Sequence, residues 1–118
     1  MKHATDETLI SRPLSEIKAE LFKALGHSGR VRILEVLRDG DRTVAELIPM
    51  VGLESSHLSQ QLAVLRRAGV VSAVRSGSSV SYSIADPAIV DLLAAARSFL
   101  INSLSASQEL LADLHQGG

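Results

Sequence analysis

The sequence predicts a mainly α-helical chain with one small β-hairpin, in the order α-α-α-α-β-β-α. Three patterns carry this prediction. Leu58, Leu62 and Leu65 recur at helical spacing. Apolar residues alternate with serines from residue 80 to residue 84, as they do in a half-buried strand. After Asp86-Pro87, which is a favourable helix start, apolar residues return at helical spacing as far as Leu114.

A polar tail and two helices are predicted before this region. Residues 1–13 are polar and end in Pro13, so we expect them to be disordered. The first helix is predicted from the spacing of Leu14, Ile17, Leu21 and Leu25. Ser28 is expected to cap the second helix, which should end before Gly40, and His27 just ahead of it is expected to have a structural or capping role.

A short helix and a tight turn precede the helix that carries the leucines. Thr43 and Glu46 have the spacing of a capping box, so we expect this short helix to begin at Thr43. Pro49 and Gly52 are expected to interrupt it, and the next helix covers residues 54–69. A short helix, a glycine turn and a polar-faced helix are the parts of a helix-turn-helix.

The second helix of this pair has a polar side opposite its leucines, formed by Ser56, Ser59, Gln60, Ala63 and Arg67. That side is nearly free of acidic residues. Glutamine can hydrogen-bond adenine edges, serine can bond either kind of base edge, and arginine can bond guanine or phosphate. The side is therefore either a surface that reads the major groove of DNA or an ordinary solvated helix face.

A β-hairpin is predicted next, with strands at residues 70–74 and 80–84 and a turn at residues 76–79. Arg75, near its tip, can reach a phosphate or the adjacent minor groove. A hairpin in this place is a wing, so the sequence predicts a winged helix-turn-helix. The candidate DNA-contacting residues are Thr43, Ser55, Ser56, His57, Ser59, Gln60, Arg67, Arg75 and Ser78.

Three segments resemble the ArsR/SmtB family of small bacterial winged-helix repressors: residues 24–34 (ALGHSGRVRIL), 59–71 (SQQLAVLRRAGVV) and 77–82 (GSSVSY). They correspond to the second helix, the recognition helix and the wing of that family. The resemblance implies a homodimeric transcription regulator that binds double-stranded DNA at a pseudo-palindromic operator. It implies a DNA-binding and dimerisation domain at residues 14–104, followed by a C-terminal helical extension and tail at residues 105–118.

The metal sites familiar in that family cannot be built here. Its cysteine pair would fall at Thr43 and Ala45. Of the ligands in its C-terminal helix only Asp86 is kept, and the other positions carry Ala88, Phe99 and Asn102. The resemblance therefore does not imply a sensor of soft, thiophilic metals.

The composition excludes several classes of protein. The absence of cysteine excludes disulfides, thiol redox sensing and cysteine nucleophiles. No phosphate-binding G-x-x-x-x-G-K-[ST] loop and no H-E-x-x-H motif is present, so an enzyme is not expected. Because no apolar run reaches about 18 residues, we expect no membrane span and no membrane partner. The N-terminus has no apolar signal region, so a cytoplasmic location is expected by default.

The charge is unevenly distributed, although the net charge is only −1. Residues 1–41 hold seven cations and seven anions, and residues 42–83 hold four arginines against two acids, a net +2. Residues 84–118 hold one arginine against four acids, a net −3. The helix-turn-helix and wing are thus the positive part, as expected for a surface that meets phosphate.

The C-terminal apolar stripe is too long for one small domain to cover. It spans about 40 Å as a helix, with an expected break at residues 105–107. Pairing with a second copy covers it, and the candidate dimer residues are Leu14, Ile17, Leu21, Leu92, Leu93, Ala96, Leu100 and Leu104. The alternatives are packing within one chain and docking of a protein co-regulator; in an interaction module of that kind, DNA binding is weak or depends on the partner.

A metal site is expected at Met1, Lys2 and His3. A free α-amine, two deprotonated backbone amides and the His3 imidazole form a square-planar set of four nitrogens, which suits Ni(II) and Cu(II). The alternative is an accidental histidine in a floppy tail. The chain resembles a cysteine-free branch of the ArsR/SmtB family that is linked to nickel-responsive control of superoxide dismutase. This resemblance implies Ni(II) as the signal.

This site predicts tight Ni(II) binding that is lost in His3→Ala and also in a variant with extra residues before Met1, because both remove one of the four nitrogens. Calorimetric titration of Ni(II) into the three proteins measures it. Equal nickel affinity in all three would rule out the N-terminal site.

Overall fold

The computed structural model describes residues 12–117, so Met1, Lys2 and His3 lie outside the described residues. The helices are α1 (Leu14–Leu25), α2 (Ser28–Arg38), α3 (Val44–Val51), α4 (Ser55–Arg67) and α5 (Pro87–Gly117). The strands are β1 (Arg42–Thr43), β2 (Val71–Ser76) and β3 (Ser79–Ile84). The chain forms two compact units, which divide between Ala85 and Asp86.

The core of the first unit is built around α2. This helix packs against α1, α3, α4 and strand β3. Its inward side chains Ile33 and Leu34 are completely buried. The remaining buried core consists of aliphatic side chains from the surrounding elements, namely Ala24, Leu25, Leu37, Leu47, Val51, Leu58, Leu62, Leu65, Val70 and Val71.

The sheet has three antiparallel strands in the order β1-β3-β2. The hairpin β2–β3 is the predicted one, and β1 is an addition that the sequence did not predict. Arg42 pairs with Tyr82 and Thr43 with Ser81, so β1 contributes only two residues. A strand this short has no alternation to read, and its pairing depends on a partner about 40 positions away in the chain.

Two predicted helix starts are shifted by one residue. Thr43 is the N-cap of α3, which begins at Val44, and the capping box with Glu46 is complete. Before α2, the N-cap is His27 and not Ser28: the His27 Nδ1 atom accepts a hydrogen bond from the Gly29 amide at 3.0 Å. The capping role of His27 is therefore confirmed, and Ser28 is the first residue of the helix.

Pro49 does not interrupt α3, in contrast to the prediction. The helix continues through it and ends at Gly52, which has a left-handed φ of 78° and whose amide donates to the Ile48 carbonyl. Pro49 removes the amide that would bond to the carbonyl of Ala45. Both residues are exposed, so water can solvate that carbonyl and the helix tolerates the proline.

Helix α5 forms the second unit. It begins as predicted, because the Asp86 carboxylate accepts a hydrogen bond from the Ala88 amide at 2.8 Å and Pro87 occupies the first helical position. The predicted break at residues 105–107 is absent. The Ser107 hydroxyl donates to the Ser103 carbonyl at 3.0 Å, one turn back, and α5 runs unbroken for 31 residues.

The expectation that no segment could span a membrane needs correction. By length and composition alone, residues 87–116 are sufficient to cross one, since an 18-residue window within them has a mean hydropathy of 1.4. The sequence criterion failed to find this window because Asp91, Arg97 and several serines interrupt the apolar run. A mean over 18 residues stays high despite such interruptions, because the apolar residues around them outweigh them.

Removing the Thr43 hydroxyl should destabilise the helix-turn-helix. We expect Thr43→Ala to lower the free energy of unfolding by about 1 kcal/mol, because the Glu46 amide loses its acceptor. Thr43→Ser keeps the hydroxyl and is the matched control. Urea unfolding followed by circular dichroism measures both, and equal losses in the two variants would contradict the capping role.

The same cap gives a defined pH dependence. Hydrogen bonds from the Thr43 amide and hydroxyl, with a smaller contribution from the charge of Arg42, lower the pKa of the Glu46 carboxylate in the folded protein. Its stabilisation is therefore present above the unfolded pKa and is lost as the pH falls through the folded pKa. Accordingly, the stability advantage of the wild type over Glu46→Gln should exist at neutral pH and shrink in acid.

Candidate nucleic-acid interface

Helix α4 is oriented by its leucines. Leu58, Leu62 and Leu65 are buried, with Leu58 and Leu65 at 0% exposure. The helix follows α3 after the three-residue connection Gly52-Leu53-Glu54, the length typical of a helix-turn-helix. Because the leucines occupy the inner side, the opposite side of α4 must face solvent.

The predicted polar side does face solvent. Ser56, Ser59, Gln60 and Arg67 are exposed, and Ala63 between them is half-buried. Within residues 12–117, the side chains of Gln60 and Arg67 make no hydrogen bond or salt bridge. Their donors and acceptors are thus free to bond an external partner.

The wing presents its cation next to the turn. Ser76 pairs with Ser79, which leaves Gly77 and Ser78 as a two-residue turn, and Gly77 has a φ of 62°. A positive φ at the first turn residue alone is the geometry of a II′ turn, which favours glycine there. Arg75 is one pair away from the turn, opposite Val80, and both Arg75 and Ser78 are exposed.

The remaining predicted contact residues lie at the start of the helix-turn-helix. Ser55 and His57 are exposed in the first turn of α4. Thr43 differs from them, because its hydroxyl donates to a Glu46 carboxylate oxygen at 3.2 Å and accepts from the Glu46 amide at 3.2 Å. The structure therefore gives Thr43 a capping role, and its contact with DNA stays a prediction.

Arg30 ties the recognition helix to the first helix. Its guanidinium donates to the Ala24 carbonyl at 2.6 Å and to the Lys23 carbonyl at 3.3 Å, both in the last turn of α1. A third bond runs at 2.8 Å to the side-chain oxygen of Gln61 on α4. Arg30 thus satisfies carbonyls at the negative end of one helix dipole while holding a residue next to Gln60.

Sequence reasoning missed this link. The local sequence offers no distinctive signal, because Arg30 is one of three arginines in α2. The acceptors themselves come from two other helices, and one lies 31 residues away. Nothing in the local pattern identifies them.

A surface depression joins the recognition helix to the sheet. It is open to solvent, has a volume of about 410 Å³, and is lined by Ser59, Ala63, Arg66, Arg67 and Tyr82. Ser59 and Arg67 were predicted as contact residues, whereas Arg66 and Tyr82 were not. Their proximity depends on the packing of the sheet against α4, which is made through β2 and which the sequence pattern does not reveal.

The candidate dimer residues fall into two groups. On α1, Leu14 and Ile17 are exposed and Leu21 is half-buried. On α5, Leu92 and Leu93 are half-buried, and the next three candidates are exposed, namely Ala96, Leu100 and Leu104. Exposure continues along α5 at Leu110, Leu111 and Leu114. Each helix therefore carries apolar surface that the single chain leaves uncovered.

The described residues contain no group of three or more histidines, aspartates and glutamates able to hold a metal ion. The expected Ni(II) site at Met1, Lys2 and His3 falls outside residues 12–117 and stays a prediction.

Comparison with known proteins places the chain among bacterial regulators. Residues 27–73 match the family described as "Bacterial regulatory protein, arsR family". The uncharacterized HTH-type transcriptional regulator Rv0081 of Mycobacterium tuberculosis is 57% identical over 109 residues, 92% of this chain and 96% of that protein. A probable mercury resistance operon repressor of Streptomyces lividans is 33% identical over 87% of this chain and 81% of its own length.

Solved structures agree with the fold. The crystal structure of M. tuberculosis Rv0081 has a TM-score of 0.75 at 58% identity and covers 80% of this chain and 96% of its own. The solution structure of the homodimeric winged helix-turn-helix domain Mb0332 from Mycobacterium bovis has a TM-score of 0.73 at 27% identity, covering 90% and 95%. The protein is therefore a winged helix-turn-helix transcription regulator and belongs to the arsR family of bacterial regulatory proteins.

Proposed function

We propose that the protein is a cytoplasmic homodimer that binds a pseudo-palindromic operator and reads it with the polar side of α4. The proposal rests on one observation. Ser56, Ser59 and Gln60 form an exposed surface without acidic residues, on the side of α4 opposite the buried leucines. Amide and hydroxyl groups at these positions match the donor and acceptor pattern of base edges in the major groove.

The wing supplies contacts of a different kind. Arg75 is exposed beside the hairpin turn, where it can meet a phosphate or the narrow minor groove. A phosphate contact raises affinity for every sequence and makes binding sensitive to salt, whereas base contacts from α4 discriminate between sequences. The two surfaces therefore divide affinity and specificity between them.

Dimer formation supplies the second half-site. Uncovered leucines on α1 and α5 are the surfaces available for pairing, and the M. bovis neighbour is homodimeric. Two recognition helices held about 34 Å apart enter successive major grooves on one side of the duplex. This spacing makes a pseudo-palindromic operator the natural target.

The signal we propose is a divalent metal, with Ni(II) at Met1, Lys2 and His3 as the specific candidate. Support comes from the nitrogen set of that sequence and from the S. lividans relative, which is described as a mercury resistance operon repressor. Since this chain has no cysteine, a thiolate site for a soft metal is not available to it. A protein co-regulator is a further candidate partner for the exposed end of α5.

Removing the amide of Gln60 should weaken specific binding. We expect Gln60→Ala to cost about 1–3 kcal/mol of operator affinity and to relax preference at one base position, because a bidentate contact to adenine is lost.

Arg75→Ala should instead weaken binding to all sequences alike and reduce the slope of affinity against salt concentration by about one. Genome-wide DNA pull-down, with and without divalent metals, identifies the operator, and fluorescence titration measures both variants. Unchanged preference in Gln60→Ala would contradict base readout by α4.

A charge at Leu100 should break the dimer. Leu100 is 64% exposed in the single chain, so Leu100→Glu leaves the monomer fold intact but buries an unpaired carboxylate on pairing. Ser98→Glu is the matched control, because Ser98 is exposed and lies about 160° around α5 from Leu100. Sedimentation at micromolar concentration should show a dimer for wild type and Ser98→Glu and a monomer for Leu100→Glu. A monomeric wild type would refute the proposed assembly.

A further inference from the structure

The depression between α4 and β3 is part of the recognition surface. Ser59, Ala63 and Arg67 follow one another at intervals of four residues, and Arg66 lies seven residues after Ser59. All four therefore share one side of the helix. The depression begins at the predicted base-reading side and ends against Tyr82 of the wing strand.

The depression is rich in free hydrogen-bond donors. Arg66 and Arg67 are exposed and take part in no salt bridge within residues 12–117. No described hydrogen bond involves the Tyr82 hydroxyl, which can donate one. Arg42 stands directly opposite Tyr82 in the sheet and so projects from the same face, and its Nε atom is buried without a partner among the described residues.

A purely structural role explains only part of this arrangement. Arg66 and Arg67 close the last turn of α4, where cations offset the helix dipole. That role does not require a tyrosine hydroxyl beside them, nor an open space between them. The combination of two guanidinium groups, a phenol and a serine around one depression has the chemistry of an anion site.

We propose that this depression binds a backbone phosphate of the DNA, with Arg66 and Tyr82 as its principal donors. The assignment rests on the proposed DNA-binding function and adds to it a contact that carries no sequence information. A phosphate held between α4 and β3 fixes the height of the recognition helix in the major groove, so that Gln60 and Ser59 meet the base edges in register.

The shape of the depression favours a polymer over a small anion. Sites for small ligands enclose most of the ligand surface, whereas this depression is open along its solvent side. A DNA strand can pass across an open depression while one phosphate contacts its floor. Free inorganic phosphate shares the same chemistry, and the experiment below separates the two sources.

The test uses a random-sequence duplex, because a phosphate contact does not depend on the operator. Affinity of the full chain is measured across a salt series for wild type, Arg66→Gln, Tyr82→Phe and Arg38→Gln. Arg38→Gln is the charge control: it removes the same charge from an exposed arginine that also ends a helix and lies outside the depression, where it forms an exposed ion pair with Asp39 at 3.6 Å. An exposed pair of this kind contributes little to stability. Thermal unfolding of each variant shows whether it is folded at the temperature of the assay.

The two variants should differ in a defined way. Arg66→Gln is expected to weaken binding and to reduce the salt slope by about one, because one phosphate neutralisation is lost. Tyr82→Phe is expected to weaken binding on the order of tenfold with an unchanged slope, since it removes a neutral donor to a charged acceptor. Arg38→Gln should leave affinity and slope near wild type. Equal effects of Arg66→Gln and Arg38→Gln would reduce the result to net charge and overturn the assignment.

A neutral backbone locates the contact. For this measurement the operator duplex found by the DNA pull-down replaces the random-sequence duplex, because only a fixed binding register has half-sites. Operator duplexes in which single phosphates are replaced by methylphosphonates should weaken wild-type binding at one position of each half-site, and the same replacement should have no further effect on Arg66→Gln. Inorganic phosphate at constant ionic strength should not displace the duplex from the wild type; displacement that Tyr82→Phe abolishes would assign the depression to free phosphate instead. If wild type binds no duplex at all, the proposed function itself fails, whereas normal binding by both variants overturns only the phosphate site.

Discussion

Burial of the three leucines of α4 is the constraint on which the rest of this structure depends. Leu58, Leu62 and Leu65 pack into a core centred on α2, and fully burying a leucine stabilises a protein by about 1.5–3 kcal/mol. Rotation of α4 by one residue position, about 100°, would expose part of this row and bury glutamine or arginine without partners. The same interactions that hold the first unit together therefore determine which side chains of α4 face solvent and form the candidate DNA-reading surface.

The leucines fix the rotation of α4 about its axis but hold its position only through non-directional contacts. Arg30 adds directional ones, since its planar guanidinium bonds two carbonyls of α1 and the side chain of Gln61 at once. A shift of α4 along α2 would break the Gln61 bond in addition to disturbing the packing of the leucines. Arg30 is thus a positioning residue: it connects the helix that carries candidate dimer residues to the helix that carries the candidate base contacts.

Most of the fold could be predicted because it is encoded in local, repeated patterns. The leucine spacing of α4, the serine alternation of β3 and the Asp86-Pro87 start each depend on a few neighbouring residues. The errors fall where the decisive partner is distant or solvent intervenes. Strand β1 exists only because Tyr82 and Ser81 pair with it, and α3 passes through Pro49 because water can reach the carbonyl that the proline leaves free.

The residues of the candidate site likewise fall into those that could be predicted from sequence and those that could not. The polar side of α4 and the tip of the wing could be read from sequence, because helical and strand periodicity place their side chains outward. The roles of Arg66 and Tyr82 and the hydrogen bonds of Arg30 could not be predicted from sequence, because each depends on an element far away in the chain. The lack of a thiolate metal site could also be read from the sequence alone, because Thr43 and Ala45 stand where the cysteine pair of the family would fall.

The exposed apolar surface of α5 bears on the proposed dimer, because a small DNA-binding regulator gains affinity by acting as a pair. A single recognition helix offers a handful of base contacts, and each correct pair discriminates by only about 1–3 kcal/mol. Linking two such helices makes the second contact intramolecular and multiplies affinity without any new interaction. A continuous 31-residue helix with exposed leucines along its length provides apolar area for that link. Residues 84–118 carry a net charge of −3, so the net positive charge of the chain lies in the helix-turn-helix and the wing, which form the candidate surface for phosphate.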